Sequence, residues 1–216
     1  NNIEGTLLAN KLSYFKKKIE LIDSISFVFS NNNKRKLVVL KSEIGHGTFT
    51  GNFDFNNLFA ELENIFVSYF QNKKIDYSGE DFFDFNLVLD DASFITNLLH
   101  ANLELGKLVI SSDYNLDNNY ILNANISDIF FNEKYFKNCK IQLIGLEEKI
   151  DCNIFLNEVK DKNKTLLDSL NFKARSKEGN LEYALNWVLK DSLLYNGSFK
   201  GDYVFLDTHN LLSFEQ

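Results

Sequence analysis

Gly47-Thr48-Phe49-Thr50-Gly51-Asn52-Phe53-Asp54-Phe55 is the stretch on which the fold turns, and it returns as Gly197-Ser198-Phe199-Lys200-Gly201-Asp202-Tyr203-Val204-Phe205. Both copies read G-x-F-x-G-x-[FY]-x-F. A strand sends successive side chains to opposite faces. One face of the first copy therefore carries glycine and aromatic rings, and the other carries Thr48, Thr50, Asn52 and Asp54. The polar face of the second copy is Ser198, Lys200 and Asp202, with Val204 as the exception. Glycine weakens a strand and marks bends or bulges. Two such positions per strand predict a sheet that curls around its apolar side.

Outward from the motif, the repeat lengthens. Ile22-Asp23-Ser24-Ile25-Ser26-Phe27 matches Leu167-Asp168-Ser169-Leu170-Asn171-Phe172, and each is followed by a charged turn, a strand and then the glycine-aromatic strand. Repetition of one supersecondary unit predicts an elongated, quasi-one-dimensional protein. Alternation places strands at 3–15, 19–29, 37–40, 47–55, 83–89, 103–115, 120–131, 136–146, 149–157, 167–175, 181–189, 195–205 and 211–214. Polar separators such as Asn31 to Lys36, Asn132-Glu133-Lys134 and Lys160 to Lys164 lie between them. Strands joined by short turns pair as an antiparallel meander. Two stretches change period. Leu58, Phe59, Leu62, Ile65, Phe66, Tyr69 and Phe70 fall at helical spacing and predict an inserted amphipathic helix over 56–70. Phe94, Ile95, Leu98 and Leu99 predict a short helix within 91–100. The expected class is all-β with two short helices: a curved antiparallel meander.

The chain has 216 residues, room for one large all-β domain or two small ones. Hydrophobic residues make up 44% and charged residues 25%, which supports a real core and argues against disorder. Net charge is −7, and the lysines are scattered among acids, with short clusters only at Lys16-Lys17-Lys18 and Lys34-Arg35-Lys36. That distribution excludes a nucleic-acid surface as the expectation. Twenty-one Phe and nine Tyr against one Trp favour strands. Methionine is absent, which predicts that residues 1–216 are a single segment of a longer protein. No run reaches the ~20 apolar residues of a membrane span, so an anchor or export signal is expected outside these residues.

Cys139 and Cys152 both occupy apolar slots of their strands and are expected as buried thiols. His46, His100 and His209 stand apart from any Cys, His or carboxylate at ligand spacing. Nucleophile-elbow, P-loop and zinc-protease motifs are missing. No catalytic residue, metal ligand or cofactor is therefore assigned, and the expectation is a protein that is not an enzyme.

The chain resembles the translocation and assembly module (TamB) family, within the wider AsmA-like, bridge-type lipid-transfer proteins. The residues that carry the resemblance are the two Asp-Ser strand starts at 22–25 and 167–170, the run Ser192-Leu193-Leu194-Tyr195-Asn196-Gly197-Ser198-Phe199-Lys200-Gly201, and the strand 181–190 ending before Asp191-Ser192. The Asn- and Lys-rich composition is similar to that of Bacteroidetes members. The resemblance covers most of the chain and is densest over 136–205. It implies a protein anchored in the inner membrane whose periplasmic part is a long, open β-taco groove. That groove would carry phospholipid acyl chains toward the outer membrane and, with an outer-membrane barrel-insertase partner, assist assembly of outer-membrane proteins. The insertion at 56–70 departs from a plain taco.

The physics of such a groove is simple. An acyl chain in water costs ~0.8 kcal/mol per exposed CH₂, roughly 12 kcal/mol for a sixteen-carbon tail. A continuous apolar stripe removes most of that cost without any reactive group. The residues expected to form the stripe are Phe49, Phe53, Phe55, Phe172, Leu185, Trp187, Phe199, Tyr203 and Phe205. The same faces could instead close into the dry core of a β-sandwich, a structural or protein-binding module.

Overall fold

The computed structural model describes residues 2–15, 19–32, 35–52, 82–92, 96, 103–115, 119–146, 149–162, 164–177, 180–190, 193–205 and 210–215. Its strands begin with β1 (Asn2–Phe15), β2 (Ile19–Asn32), β3 (Arg35–Ser42) and β4 (Gly45–Asn52). The middle of the chain supplies β5 (Phe82–Leu89), β6 (Leu103–Leu105), β7 (Leu108–Tyr114), β8 (Tyr120–Phe131), β9 (Lys134–Leu146) and β10 (Lys149–Leu156). The last third supplies β11 (Glu158–Asp161), β12 (Lys164–Leu167), β13 (Ser169–Lys177), β14 (Asn180–Lys190), β15 (Leu194–Phe205) and β16 (Asn210–Glu215).

These sixteen strands form one antiparallel sheet in the order β1-β2-β3-β4-β5-β7-β8-β9-β10-β13-β14-β15-β16. β6 pairs with β8, and the β11–β12 hairpin pairs with β9. The two ends of the order, β1 and β16, do not pair with each other, so the sheet is open. The expected all-β meander is the observed fold. The predicted helix over 56–70 lies outside the described residues. Of 91–100, the described residues are Asp91, Ala92 and Thr96, and Thr96 is helical and buried.

Open sheets rarely exceed about ten strands without curling, and the glycines of β4 mark a close approach of two strands. A Cβ on Gly47 would lie 2.9 Å from the Asn86 carbonyl of β5. Gly51 has a φ of 157°, and a Cβ there would run into the Phe82 carbonyl. Only glycine lets β4 and β5 approach this way. At the β8–β9 turn, Asn132 and Glu133 have φ of 48° and 65°. That is the type I′ geometry whose twist suits a two-residue hairpin.

Two expectations need correction. Residues 103–115 are not one strand. β6 and β7 keep one register on β8, and Gly106 N–H and Ser127 N–H still bond to the Asp128 and Lys107 carbonyls, but Ser127 Oγ accepts the Lys107 N–H and the Gly106 carbonyl accepts from Ala92, so the regular strand pattern is lost between them. Lys160 to Lys164 is not merely a separator, since β11 and β12 occupy its flanks and turn over Lys162 at a φ of 53°.

Both repeat copies fold as three consecutive antiparallel strands, β2-β3-β4 and β13-β14-β15. In the first, Phe27 faces Leu40, which faces Gly47. In the second, Phe172 faces Leu185, which faces Phe199. The closing strand of the second copy is thus displaced by two residues, and a shift of two keeps the same face.

The core lies on one side of the sheet. By register, Phe83, Leu89, Leu108, Tyr114, Tyr120, Ala124, Cys139, Ile150 and Ala174 all point the same way, and all are buried. Ala92 after β5 packs with Leu89 and Leu108 in it, and Val159 of β11 is buried opposite Phe136.

Candidate functional site

The registers define a transverse row that crosses the sheet on its buried side. Leu7 of β1 faces Phe27, then Leu40, Gly47, Leu87, Ile110, Ala124, Ile141, Ile154, Phe172, Leu185 and finally Phe199 of β15. Every strand on the path from β1 to β15 contributes to this row, and no contribution is polar. At about 4.8 Å between strands the row runs on the order of 50 Å. Most of its members are half-buried, Ala124 is buried, and Leu7 and Phe27 at one end are exposed.

Parallel rows lie on either side of it. One runs Phe29, Val38, Phe49, Phe85, Ser112, Leu122, Leu143, Cys152, Ala174 and Tyr183. The other includes Leu89, Leu108, Ile126 and Cys139, and at its far end Leu170, Trp187 and Gly197. Cys139 is buried and Cys152 half-buried; both are free thiols, and burial pushes both up from the usual thiol range. The charged interruptions near these rows are Lys36, which faces Gly51, and, past the opposite margin, Asp128 facing Lys137.

The predicted stripe residues fall into two groups at the two repeat copies. Phe49 stacks on Phe83 at 5.7 Å and meets Phe85 edge-on at 5.8 Å, and Phe83 continues to Tyr114 at 5.4 Å. Phe172, Leu185, Trp187, Phe199 and Tyr203 share the same face some strands away. There Phe199 lies 5.9 Å from Tyr183 and 5.1 Å from Phe214. Glycine makes room for rings: Trp187 covers Gly197, and Tyr183 covers Gly201, whose added Cβ would come within 2.5 Å of the phenol oxygen. Phe53 and Phe55 lie outside the described residues. Phe205 ends β15 opposite Asn210, with its side chain outside the described set.

The two groups are joined by Leu87, Ile110, Ala124, Ile141 and Ile154, which sequence reasoning did not single out. Their signal was present as alternation within each strand. What was missing was the register that aligns them.

The opposite face is polar. Thr48, Asn86, Ser111, Asn123, Gln142, Asn153 and Lys173 form one row, in which Gln142 donates to Asn123 at 3.0 Å. The next row runs Asp84, Asp113, Ile121, Ile144, Asp151, Arg175, Glu182 and Asp202, with Arg175 Nε 2.6 Å from Asp151. A shallow trough of about 750 Å³ opens on this side, where Ala184 is flanked by Lys173 and Lys200. His46 is exposed on this polar side, whereas His100 and His209 lie outside the described residues.

No family model, curated protein or solved structure matches the chain.

Proposed function

We propose that this chain is a lipid-conducting segment that shields phospholipid acyl chains along the apolar face of its open sheet. The observation that carries the reading is the row from Leu7 to Phe199, which crosses the sheet without a polar side chain. An acyl tail laid along it exchanges water for aliphatic and aromatic carbon, while its head group stays outside in solvent. The polar opposite face, with its amide and carboxylate rows, keeps the segment wet on its outside.

On this reading the chain acts without covalent chemistry and without a cofactor. It belongs in the periplasm as part of a longer, inner-membrane-anchored protein of the TamB-like kind, delivering lipid toward the outer membrane. A barrel-insertase in that membrane is the proposed protein partner. What supports the lipid reading over a sandwich core is that the described strands make one sheet, whose apolar row is half-exposed rather than sealed by a second.

Native mass spectrometry of the purified chain tests it. The expected result is co-purified phospholipid in the wild type and about tenfold less in Leu185→Asp, equivalent to ~1.4 kcal/mol. The charge-reversing Lys173→Glu on the polar side is expected to retain lipid. Equal lipid loading in all three, or none in any, would remove the proposal.

A further inference from the structure

Well inside the sheet, five neighbouring lines of chain are irregular at the same transverse level. Between β6 and β7 the level passes Gly106 and Lys107, where Ser127 Oγ accepts the Lys107 N–H at 2.9 Å in place of a carbonyl. On β9 it passes Asn138, which sits at a φ of 48°. On the next strands it passes Asn157, which separates β10 from β11, and Asp168, which separates β12 from β13. The registers align the flanks of these breaks. Leu105, Ile129, Phe136, Val159 and Leu167 face one another in turn on the far side. Leu108, Ile126 and Cys139 do so on the near side, where Leu156 faces Leu170.

Each line of chain therefore crosses the level with an apolar pair three residues apart: 105 and 108, 126 and 129, 136 and 139, 156 and 159, 167 and 170. In an unbroken strand an odd spacing sends two side chains to opposite faces. The break at Gly106 returns Leu105 to the near side's cluster, where it packs against Leu89, Ala92 and Leu108. Burial is tightest along this margin. Leu89, Leu108 and Cys139 are 3%, 7% and 4% exposed and Val159 across the level is 6% exposed, whereas Leu87, Ile110 and Ile141 of the central row are only half-buried.

We infer that β6, residues 128–137, β11 and β12 form a lid, folded onto the margin and swinging as one unit about this level to uncover the margin for an acyl tail. The hinge is a property of the backbone; the tail as its cargo rests on the lipid reading above. Segments joined to the core by few regular ladder bonds open at lower free energy than the whole domain. Asn138 fits the folded form because asparagine tolerates the left-handed region better than other side chains. Straightening the strand takes residue 138 out of that region.

Hydrogen exchange read by mass spectrometry, together with labelling of the Cys139 thiol, tests the lid. In the wild type, residues 128–137, β11 and β12 are expected to exchange with one common opening constant, ahead of β10, β13 and β14. Asn138→Val opposes the left-handed conformation and is expected to speed both lid exchange and Cys139 labelling about tenfold, equivalent to ~1.4 kcal/mol. Asn138→Gly accepts that conformation and is expected to leave both unchanged or slower. Ser127→Ala removes the acceptor of the Lys107 N–H and is expected to speed both without touching residue 138. Position 138 is exposed, and urea midpoints separate lid opening from global unfolding. Vesicles of phosphatidylethanolamine and phosphatidylglycerol are expected to speed lid exchange and to slow Cys139 labelling, because a tail then covers the thiol in place of the lid. Exchange of β11 and β12 that is unrelated to that of residues 128–137 overturns the inference, as do variants whose effects follow global stability alone. A wild type that captures phospholipid in native mass spectrometry while vesicles change neither readout also overturns the lid, and leaves tail binding on the central row standing. No captured phospholipid sinks the lipid reading itself, and with it the acyl role of the lid, even where the unit still opens.

Discussion

Gly51 and Gly5 separate what glycine does from where glycine merely sits. Gly51 adopts a φ of 157° against the Phe82 carbonyl, whereas a Cβ on Gly5 would meet nothing within 4 Å. Gly51→Ala is expected to lower stability by roughly 1–3 kcal/mol, the usual cost of such a backbone conformation in an L-residue. Gly5→Ala is expected to be neutral or to stabilise by up to about 1 kcal/mol through the unfolded chain. Urea unfolding midpoints of the two variants check this. Tyr135 gives a second test at this scale. Its hydroxyl donates to the Asp128 carboxylate, which pushes the phenol up to about 12 and holds Asp128 below the usual carboxylate range. The folded phenol keeps its proton longer than the unfolded one. Its contribution is therefore fully present below pH 10 and is lost as pH rises toward about 12. The contribution of Asp128 runs the other way, present above its ordinary pKa of 3.8 and lost as pH falls. Tyr135→Phe is expected to flatten the alkaline loss and to weaken the acid side, read as unfolding free energy against pH.

At the scale of elements, Asp168 holds the break between β12 and β13. Its backbone N–H donates to the Val188 carbonyl at 2.8 Å, and its carboxylate accepts from the Lys190 N–H. Asp168→Ala is expected to cost roughly 1.5–3 kcal/mol, the range for a hydrogen bond to a charged group. Amide exchange at Lys190 should accelerate before that of its neighbours in β14, while unchanged exchange there would deny the carboxylate this role. Asp23, its counterpart in the repeat, lies inside the unbroken β2, so matching sequence does not produce matching breaks. Strand existence was largely legible: β8 spans the 12 residues that alternation marks, and β14 and β15 differ from expectation by a residue at each end or less. The errors have local physical causes. β11 and β12 are rich in Glu, Lys and Asp, with Val159 as their buried residue, so no alternation announced them. The break between β6 and β7 depends on Ser127, twenty residues away from Lys107 in sequence. Local pattern cannot contain such a contact.

At the scale of the whole molecule, alternation and the repeated motif foretold an antiparallel meander with one apolar side, while the residues alone left an open groove and a closed sandwich as alternatives; the sheet is an open meander with one apolar side. The site was legible only at its two ends, through Phe49 near one and through Phe172, Leu185, Trp187, Phe199 and Tyr203 near the other. The middle of the row, Leu87 to Ile154, becomes a feature only when antiparallel registers stack ordinary core residues into a line. A long row of this kind suits a ligand that is itself long, apolar and without directional hydrogen bonds. The polar rows behind it give the same sheet an opposite preference, so the two faces provide an internal control. The most direct test is photo-crosslinking with a fatty acid that carries a diazirine near the end of its tail, followed by peptide mapping of the adducts. The expected adducts fall on Leu87, Ile110, Ile141, Ile154, Phe172 and Leu185. Adducts confined to the polar side at Asn123, Gln142, Asn153 and Lys173, or no saturable labelling at all, would contradict acyl binding on the apolar face.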